Sequence, residues 1–498
     1  MKGNNGARAM LAAGVAMAVG LAGCFPPRES IYADLHASRS RAYTRWLECI
    51  GQEEDLPCLD GDLSTRDAVR VALAYNKELR GVVQEREKAH GRVLEAYGEA
   101  LPTVSLNAGY TRLDQITTVD LGFDSFQVGA KNNWSYDLSV TQPLYRGGAI
   151  PAAMRGAQLY RCMSDEGVRQ AVQDVVLAVV GAYYDVLLAQ RLFEVQENAL
   201  EFAEANLKDV IARQEQGLAI RYDRLRAELE VSNVKADLIR QRNELSRARA
   251  ALFRAMGVSQ KSQVALANSL TYAPLTPTYE EAVEEAFKQR PELYQAELDV
   301  RLQQEALRSF YADYWPNVEG WGWYQWAKPD PHESTNISWG RQWQAGLRLD
   351  WTLFDGLRRE GQIIQQKALL RQSAIHLTDT EQSVLQEVRN ALLDLGDADE
   401  LVESQWLNLE RANEALRLVT IGAREGVNTA LEVLDGRSAL THAQGLYYQA
   451  LHAHSMARLA YQRAIGLLGP GPGVGEVPSE APAAVPDAQE GAEAPPAE

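Results

Sequence analysis

The 498-residue sequence is short of positive charge, of cysteine and of long apolar runs. Its 50 Lys and Arg against 67 Asp and Glu leave a formal charge of −17. That balance excludes nucleic acid as a partner, because phosphate binding needs clustered cations. Beyond the N-terminal segment no uninterrupted apolar run reaches the roughly eighteen residues that a helical span requires, so no transmembrane helix is expected. The 7 His and 4 Cys show no zinc-ligand spacing. His452 and His454 stand at i and i+2 on a helical run and face apart, which makes them poor joint metal ligands. Gly147-Gly148 lacks the lysine of a phosphate loop, and no Ser, His and Asp grouping stands out. No metal, no cofactor and no enzyme activity are expected.

The start of the chain has the three-part layout of an export signal. Lys2 and Arg8 precede an apolar run from Met10 to Leu21, which closes on Leu21-Ala22-Gly23-Cys24. This resembles a bacterial lipoprotein signal over residues 1–23, after which Cys24 would carry lipid; an ordinary secretory signal with an incidental cysteine is the alternative. Phe25, in place of an acid, fits sorting to the outer membrane. In the anchored segment, residues 24–62, Cys49 and Cys58 are either a disulfide or two free thiols. Cys162 lies in a helical run and reads as a small packed residue. Residues 470–498, rich in Pro, Ala and Glu, read as a disordered tail.

The remainder is written twice. Gly217 and Gly426 each sit between long helical runs, 426 − 217 = 209 residues apart, and mark helix turns. Pro143-Leu144-Tyr145-Arg146-Gly147 matches Thr352-Leu353-Phe354-Asp355-Gly356 at the same spacing, 356 − 147 = 209. Upstream, Asn76-Lys77-Glu78-Leu79 matches Arg290-Pro291-Glu292-Leu293, and Pro102 matches Pro316, both at 290 − 76 = 214. Two tandem repeats follow, residues 63–270 and 271–469.

Each repeat opens with a helix, the first from Thr65 to about Ala100, and then changes period to two. Strands are expected at 103–117 and 132–145, and again at 317–328 and 337–353. In the first hairpin Val104, Leu106, Ala108 and Tyr110, then Trp134, Tyr136, Leu138 and Val140, form an apolar face opposite small polar residues. The last strand alternates through Trp339, Trp343, Leu347, Leu349 and Trp351. Such strands are long enough to cross a bilayer when tilted, and the aromatics Tyr110, Trp134, Tyr136, Trp339, Trp343 and Trp351 suit membrane interfaces. A soluble sandwich strand has the same period, and a tryptophan band can also serve as a carbohydrate platform. Two hairpins close no barrel alone, so several chains are required.

Long helices follow each hairpin, from Pro151 to Gln216 and from Leu357 to Glu425, with returns from Tyr222 to Met256 and from Leu431 to Leu467. At about 1.5 Å per residue the longer ones span on the order of 100 Å. Val172, Val175, Val176, Val179, Tyr183, Val186 and Leu187 recur at three and four, as in helices packed along their length. A plain antiparallel coiled coil, in a periplasmic lipoprotein without a pore, is the bland alternative; a cell-wall binder is a further one.

These residues resemble the TolC-like outer-membrane efflux proteins over nearly the whole mature chain. The matching motifs are Asn76 to Leu79 with Arg290 to Leu293, the strand-to-helix junctions at Gly147 and Gly356, and the turns at Gly217 and Gly426. The resemblance implies a mainly α fold with a small β part: a long helical barrel fused to a transmembrane β-barrel, closed by trimerisation with four strands per chain and 12 in all. It implies a homotrimeric exit duct of an efflux or type I secretion system, set in outer-membrane lipid and reaching into the periplasm. A periplasmic adaptor and an inner-membrane pump would be its partners. Glu432 and Asp435 match the family's acidic constriction, sharing a helix face at i and i+3, and Asp223 matches an acid that helps keep the tip shut. Ala423 and Asn428 depart from the family, standing where relatives carry a tyrosine and an arginine.

Overall fold

The computed structural model describes residues 28–48, 59–120, 125–333 and 337–469. The signal segment with Cys24, the pair Cys49 and Cys58, and the tail from residue 470 lie outside the described residues. Contacts divide the chain into two units, Met1–Asp60 with Val258–Gln263, and Gly61–Gly257 with Val264–Glu498. In the first, helix α1 covers Arg28–Glu48, and the Leu59 amide donates to Ser262 Oγ at 3.2 Å.

The second unit runs through one order of elements twice. Helices α2 (Thr65–Tyr75) and α3 (Lys77–Gly98) lead to strands β2 (Thr103–Arg112) and β5 (Asn132–Arg146), then to α4 (Ala149–Glu215) and its return α5 (Arg221–Met256). Helices α6 (Tyr279–Gln289) and α7 (Pro291–Ala312) lead to β7 (Asn317–Lys328) and β8 (Gly340–Asp350), then to α8 (Arg358–Arg424) and α9 (Ala430–Ala464). Both long helices are 67 residues, so the duplication holds in length as well as order. Between the halves, β1 (Asp60–Leu63) pairs with β6 (Gln263–Leu266). The loop of the first hairpin adds β3 (Thr117–Asp120) and β4 (Ser125–Val128), which pair with each other.

Several expectations are corrected here. The single helix expected from Thr65 to Ala100 is broken at Asn76, whose backbone is extended (φ −60°, ψ 128°). Its side-chain oxygen accepts from the amides of Glu78 and Leu79 at 2.9 and 3.0 Å, starting a new helix, and its amide donates to the Ala255 carbonyl at 2.8 Å. The second copy breaks at Arg290 by another route. Pro291 disfavours helical backbone before it, and Arg290 donates to the Ala464 carbonyl at 3.3 Å. Ala255 and Ala464 are again 209 apart, so one clamp is built twice from different side chains. The strand expected at 103–117 stops at Arg112, because the chain leaves the sheet to form β3 and β4. The strand expected at 337–353 covers only Gly340–Asp350, and its last residues have no partner strand on the open side. Beside the four long strands, the described residues also form the short strands β1, β3, β4 and β6. Cys162 is exposed. It lies six residues past Gly156, which faces Leu302 and Glu305. At about 100° per residue that turns it some 120° away from the packed side of α4.

The interior follows the spacing of three and four. Val175, Val176, Val179, Tyr183, Val186 and Leu187 of α4 are buried, with Val172 half-buried. Helix α4 includes one stretch apolar and long enough, by composition, to cross a membrane; half of it is buried within the fold. The Tyr183 hydroxyl donates to the Leu63 carbonyl at 2.8 Å and lies 3.1 Å from Asn268 Oδ1, which also accepts from the Thr65 amide. Burial raises the Tyr183 pKa, keeping the phenol a donor.

At the second clamp, the Arg290 side chain is 5% exposed and reaches Glu292 at 3.2 Å and Glu387 at 2.6 Å. Arg463 bridges Asp174 at 2.9 Å and Glu292 at 2.7 Å, so one charge network ties α4, α7, α8 and α9. Where each return helix ends, Gly257 (φ +71°) and Gly466 (φ +75°) press on the broken helix: an added Cβ would stand 2.6 Å from the Tyr75 oxygen in the first case and 2.8 Å from Gln289 carbon in the second. Ala at either glycine is expected to lower the denaturation midpoint by about 1–3 kcal/mol equivalent, from left-handed strain and overlap. Gly91→Ala, at a mid-helix site with nothing near its Cβ position, is expected to raise it by about 0.5–1 kcal/mol. Denaturant titration of the purified protein followed by circular dichroism measures both.

Candidate functional site

Two regions carry the functional residues: the turns that end the long helices, and the four-stranded sheet. At the first turn Gly217 has φ +75°, and the Leu218 amide closes back on the Arg213 carbonyl at 2.8 Å. At the second Gly426 has φ +78°, and Val427 closes on the Gly422 carbonyl at 2.8 Å. Both are left-handed helix ends of one type, which only glycine adopts without strain. A side chain at Gly422 would overlap Asn428, whose side chain lies across it.

Each turn then starts its return helix with an acid six residues past the glycine. Asp223 accepts from the Ile220 amide at 3.1 Å. Glu432 accepts from the Thr429 amide at 2.7 Å and from the Asn428 side-chain amide at 3.1 Å, while Thr429 Oγ1 accepts from the Glu432 amide at 3.3 Å. This reciprocal arrangement is a capping box, and its Thr-x-x-Glu spacing was legible in Thr429-Ala430-Leu431-Glu432. The Thr429 amide, followed by the Asn428 side chain, holds the Glu432 carboxyl below the usual carboxylate range. Asn428 therefore braces the turn, in the place where the family resemblance called for an arginine.

Asp435 is exposed one turn along α9 from Glu432. It has no ion-pair or hydrogen-bond partner among the described residues. Leu218, Ile220, Tyr222 and Val427 are apolar and exposed around the turns. Behind them a cavity of about 410 Å³ between α4, α5 and α9 is lined by Phe202, Arg437 and His442 among others. Arg437 lies over the Phe202 ring at 5.0 Å, and burial lowers its pKa. Nothing in the sequence singled it out.

The sheet has the order β2-β5-β7-β8, all antiparallel, with β2 and β8 at its edges. Directly opposed residues share a face. Leu138 faces Tyr324, which faces Trp343, while Ser139 faces Trp323 and Thr141 faces Trp321. The apolar face thus carries Tyr110, Trp134, Tyr136 and Trp343, as expected. Trp321 and Trp323 lie on the polar face, Trp321 flat across Gly346; only the strand register reveals this.

Aromatics gather toward both ends of the strands. At the loop end Tyr110 packs on Trp134 with ring centres 4.4 Å apart, and Tyr136 stacks on Trp339 at 5.8 Å. At the helix end Trp351 donates to the Tyr314 carbonyl at 3.1 Å. Trp339 and Trp351 flank β8 instead of standing in it, as its shortened span requires. Trp343 and Trp351 are eight residues apart, about 27 Å along an extended strand. The two histidines do face apart. His452 Nε2 lies 2.8 Å from Asp185, while the buried His454 lies 3.1 Å from the Ala273 carbonyl and 3.0 Å from Asp399.

A family model described as outer membrane efflux protein matches residues 68–258 and again 282–467. Protein CyaE of Bordetella pertussis is 26% identical over 431 residues, covering 84% of this chain and 87% of that protein. Outer membrane protein TolC of Salmonella enteritidis is 23% identical over 406 residues, covering 79% and 80%. Among solved structures, a membrane protein from Pseudomonas aeruginosa superposes with a TM-score of 0.69 at 20% identity, covering 81% of this chain and 93% of that one. At that identity the superposition establishes the fold alone.

Thr429→Ala removes one half of the capping box. Its expected cost is about 1 kcal/mol of local helix stability, read as roughly fivefold faster amide exchange over Leu431–Val433. Because the Glu432 pKa is depressed in the folded chain, its capping contribution is full above the unfolded carboxyl value of about 4.3 and is lost as pH falls through the lower folded value. Exchange at these amides, corrected for intrinsic rates, is expected to rise only below about pH 4.

Proposed function

The chain belongs to the outer membrane efflux protein family, a family of channels and not of enzymes, and from that premise we propose that three copies form one passive exit duct. Each contributes four strands to a twelve-stranded barrel in the outer membrane and four helices to a tunnel through the periplasm. Lipid on Cys24 anchors the assembly to one leaflet, and the lipid itself makes no channel. A periplasmic adaptor and an inner-membrane pump, for efflux or type I secretion, supply the energy and shift the tips. The exposed apolar ring of Leu218, Ile220, Tyr222 and Val427 is a surface an adaptor could cover.

One observation carries this reading: the sheet ends on two unpaired edges, exposes Leu347, Leu349 and Val104, and continues directly into 67-residue helices. Hydrocarbon requires every backbone polar group to be bonded, and four strands are too few to close. The acids supply the selectivity. Three copies each of Glu432 and Asp435 at one level concentrate negative potential, which favours cations and resists anions.

The expected test uses planar bilayers. Asp435→Asn leaves the capping box intact and removes three charges from the ring, so cation selectivity should fall severalfold. The double change Glu432→Ala with Asp435→Ala should also raise single-channel conductance. Unchanged selectivity and conductance would remove the acidic pair as the gate, and a monomer without pore activity would remove the duct.

A further inference from the structure

Arginines on the long helices commonly find an acid one turn away. Arg191 pairs with Glu194 at 2.8 Å, Arg224 with Glu228 at 2.9 Å and Arg417 with Glu414 at 2.7 Å. Arg437 on α9 is placed differently. The positions three and four residues from it are Val433, Leu434, Leu440 and Thr441, so its own helix offers it no acid. It has no hydrogen bond or ion pair among the described residues, and its Nε is buried without a partner. The first repeat has Glu228 at the equivalent place, 437 − 209 = 228, and that acid is held by Arg224.

What Arg437 does meet is an aromatic face and a cavity. Its guanidinium lies over the Phe202 ring at 5.0 Å, a contact that favours the charged form. The second repeat lacks this ring, since 202 + 209 = 411 is Arg411. Burial lowers the Arg437 pKa with no carboxylate opposing it, but an arginine starts so far above neutral that it stays charged. The cavity beside it, about 410 Å³ between α4, α5 and α9, is of the size that small molecules occupy. Val195, Phe202, Val234, Leu434 and Leu446 give it apolar walls. Its acids are Glu230 and Asp237 on α5, and Asp237 accepts from Arg240. An unpaired cation in the wall of an apolar cavity costs stability, and an anion that enters offsets that cost.

We propose that this cavity binds a small amphipathic monocarboxylate, with the carboxylate on Arg437 and the apolar chain along Phe202, Val195 and Leu446. A planar guanidinium fork takes a planar carboxylate through two parallel hydrogen bonds. One guanidinium near Glu230 and Asp237 suits a single negative charge, because the second charge of a phosphate dianion would be repelled by those acids. A cationic amphiphile is repelled by Arg437, and a neutral one leaves it unpaired. A bound carboxylate ties α9 to α4 and α5 just beyond the cap at Glu432, five residues before Arg437. Three helices of one chain build the site, so it holds whether or not copies assemble into a duct.

Octanoate is the probe, with octylamine and 1-octanol as controls of equal chain length that enter the same detergent micelles. Equilibrium dialysis of the full-length protein in a non-ionic detergent is expected to show one saturable octanoate site per chain, with both controls at least tenfold weaker. Arg437→Gln is expected to weaken octanoate about tenfold or more, the loss of one charge-assisted pair. Arg437→Lys keeps the charge without the fork and should fall between the two. Arg437→Met separates binding from bracing. On the proposed role it keeps or raises the denaturation midpoint without octanoate, because no charge is then desolvated, and it abolishes the upward shift that octanoate gives the unsubstituted chain. A lower midpoint in both conditions makes Arg437 a brace on Phe202 and overturns the site. So does octanoate binding that survives Arg437→Gln, or octylamine binding as tightly as octanoate. Absence of saturable binding overturns it too, as when a side chain of a neighbouring copy fills the cavity. Each of these results leaves the duct standing, since conductance tests that separately.

Discussion

Unpaired backbone at a sheet edge is the constraint on which the rest of this molecule depends. A strand presents an amide and a carbonyl at alternate positions, and in hydrocarbon each unbonded group costs several kcal/mol. The chain pairs three ladders internally, β2–β5, β5–β7 and β7–β8, and leaves one row open on β2 and one on β8. In water such edges invite uncontrolled pairing. On the three-copy reading they pair between copies and close a ring, and the ring then sets where the helices below must stand.

Duplication is how the chain meets this constraint with few interactions. On the three-copy reading, a repeat that packs against its successor within one chain has a surface that also fits the next chain, because the same elements recur in the same order. The clamps show how much freedom that leaves. Asn76 and Arg290 reach the equivalent carbonyls of Ala255 and Ala464, one with a short amide and the other with a guanidinium. Gly257 and Gly466 keep their identity, because each lies against backbone that no side chain could displace. Contacts to backbone are thus retained as glycine, while contacts made by side chains have drifted.

The same distinction explains what the sequence disclosed. Long proline-free runs and the glycines at 217 and 426 announced the helices and turns, since periodicity and left-handed backbone leave direct marks. Strand β7 was legible to the residue, because Pro316 and Pro329 bound it. The break at Asn76 was not, because an asparagine in a helical run becomes a cap only when a distant carbonyl, that of Ala255, draws its amide aside. The end of β8 was misjudged for a related reason: alternation continues to Leu353, but strand structure requires a partner, and alternation says nothing about one. Trp321 and Trp323 show the limit most plainly. A strand alternating Trp and Gly has two candidate faces, and only its neighbours' register decides which one meets the polar side.

The tip joins these themes. An acid six residues past each turn glycine is consumed in starting the return helix, Asp223 on the Ile220 amide and Glu432 on that of Thr429. Glu432 keeps its charge, since the Thr429 amide and the Asn428 side chain that hold it also depress its pKa. It has no freedom to swing aside, because moving it leaves helix-end amides unbonded. On the reading of the tip as a gate, Glu432 is a fixed charge attached to the end of a rigid rod. Opening must then displace whole helices about the turns at Gly217 and Gly426, and no rotation of side chains alone can widen the passage. A partner that grips the turns would act where the chain is least able to respond locally, and the displacement would pass to α8 and α9 as rigid bodies.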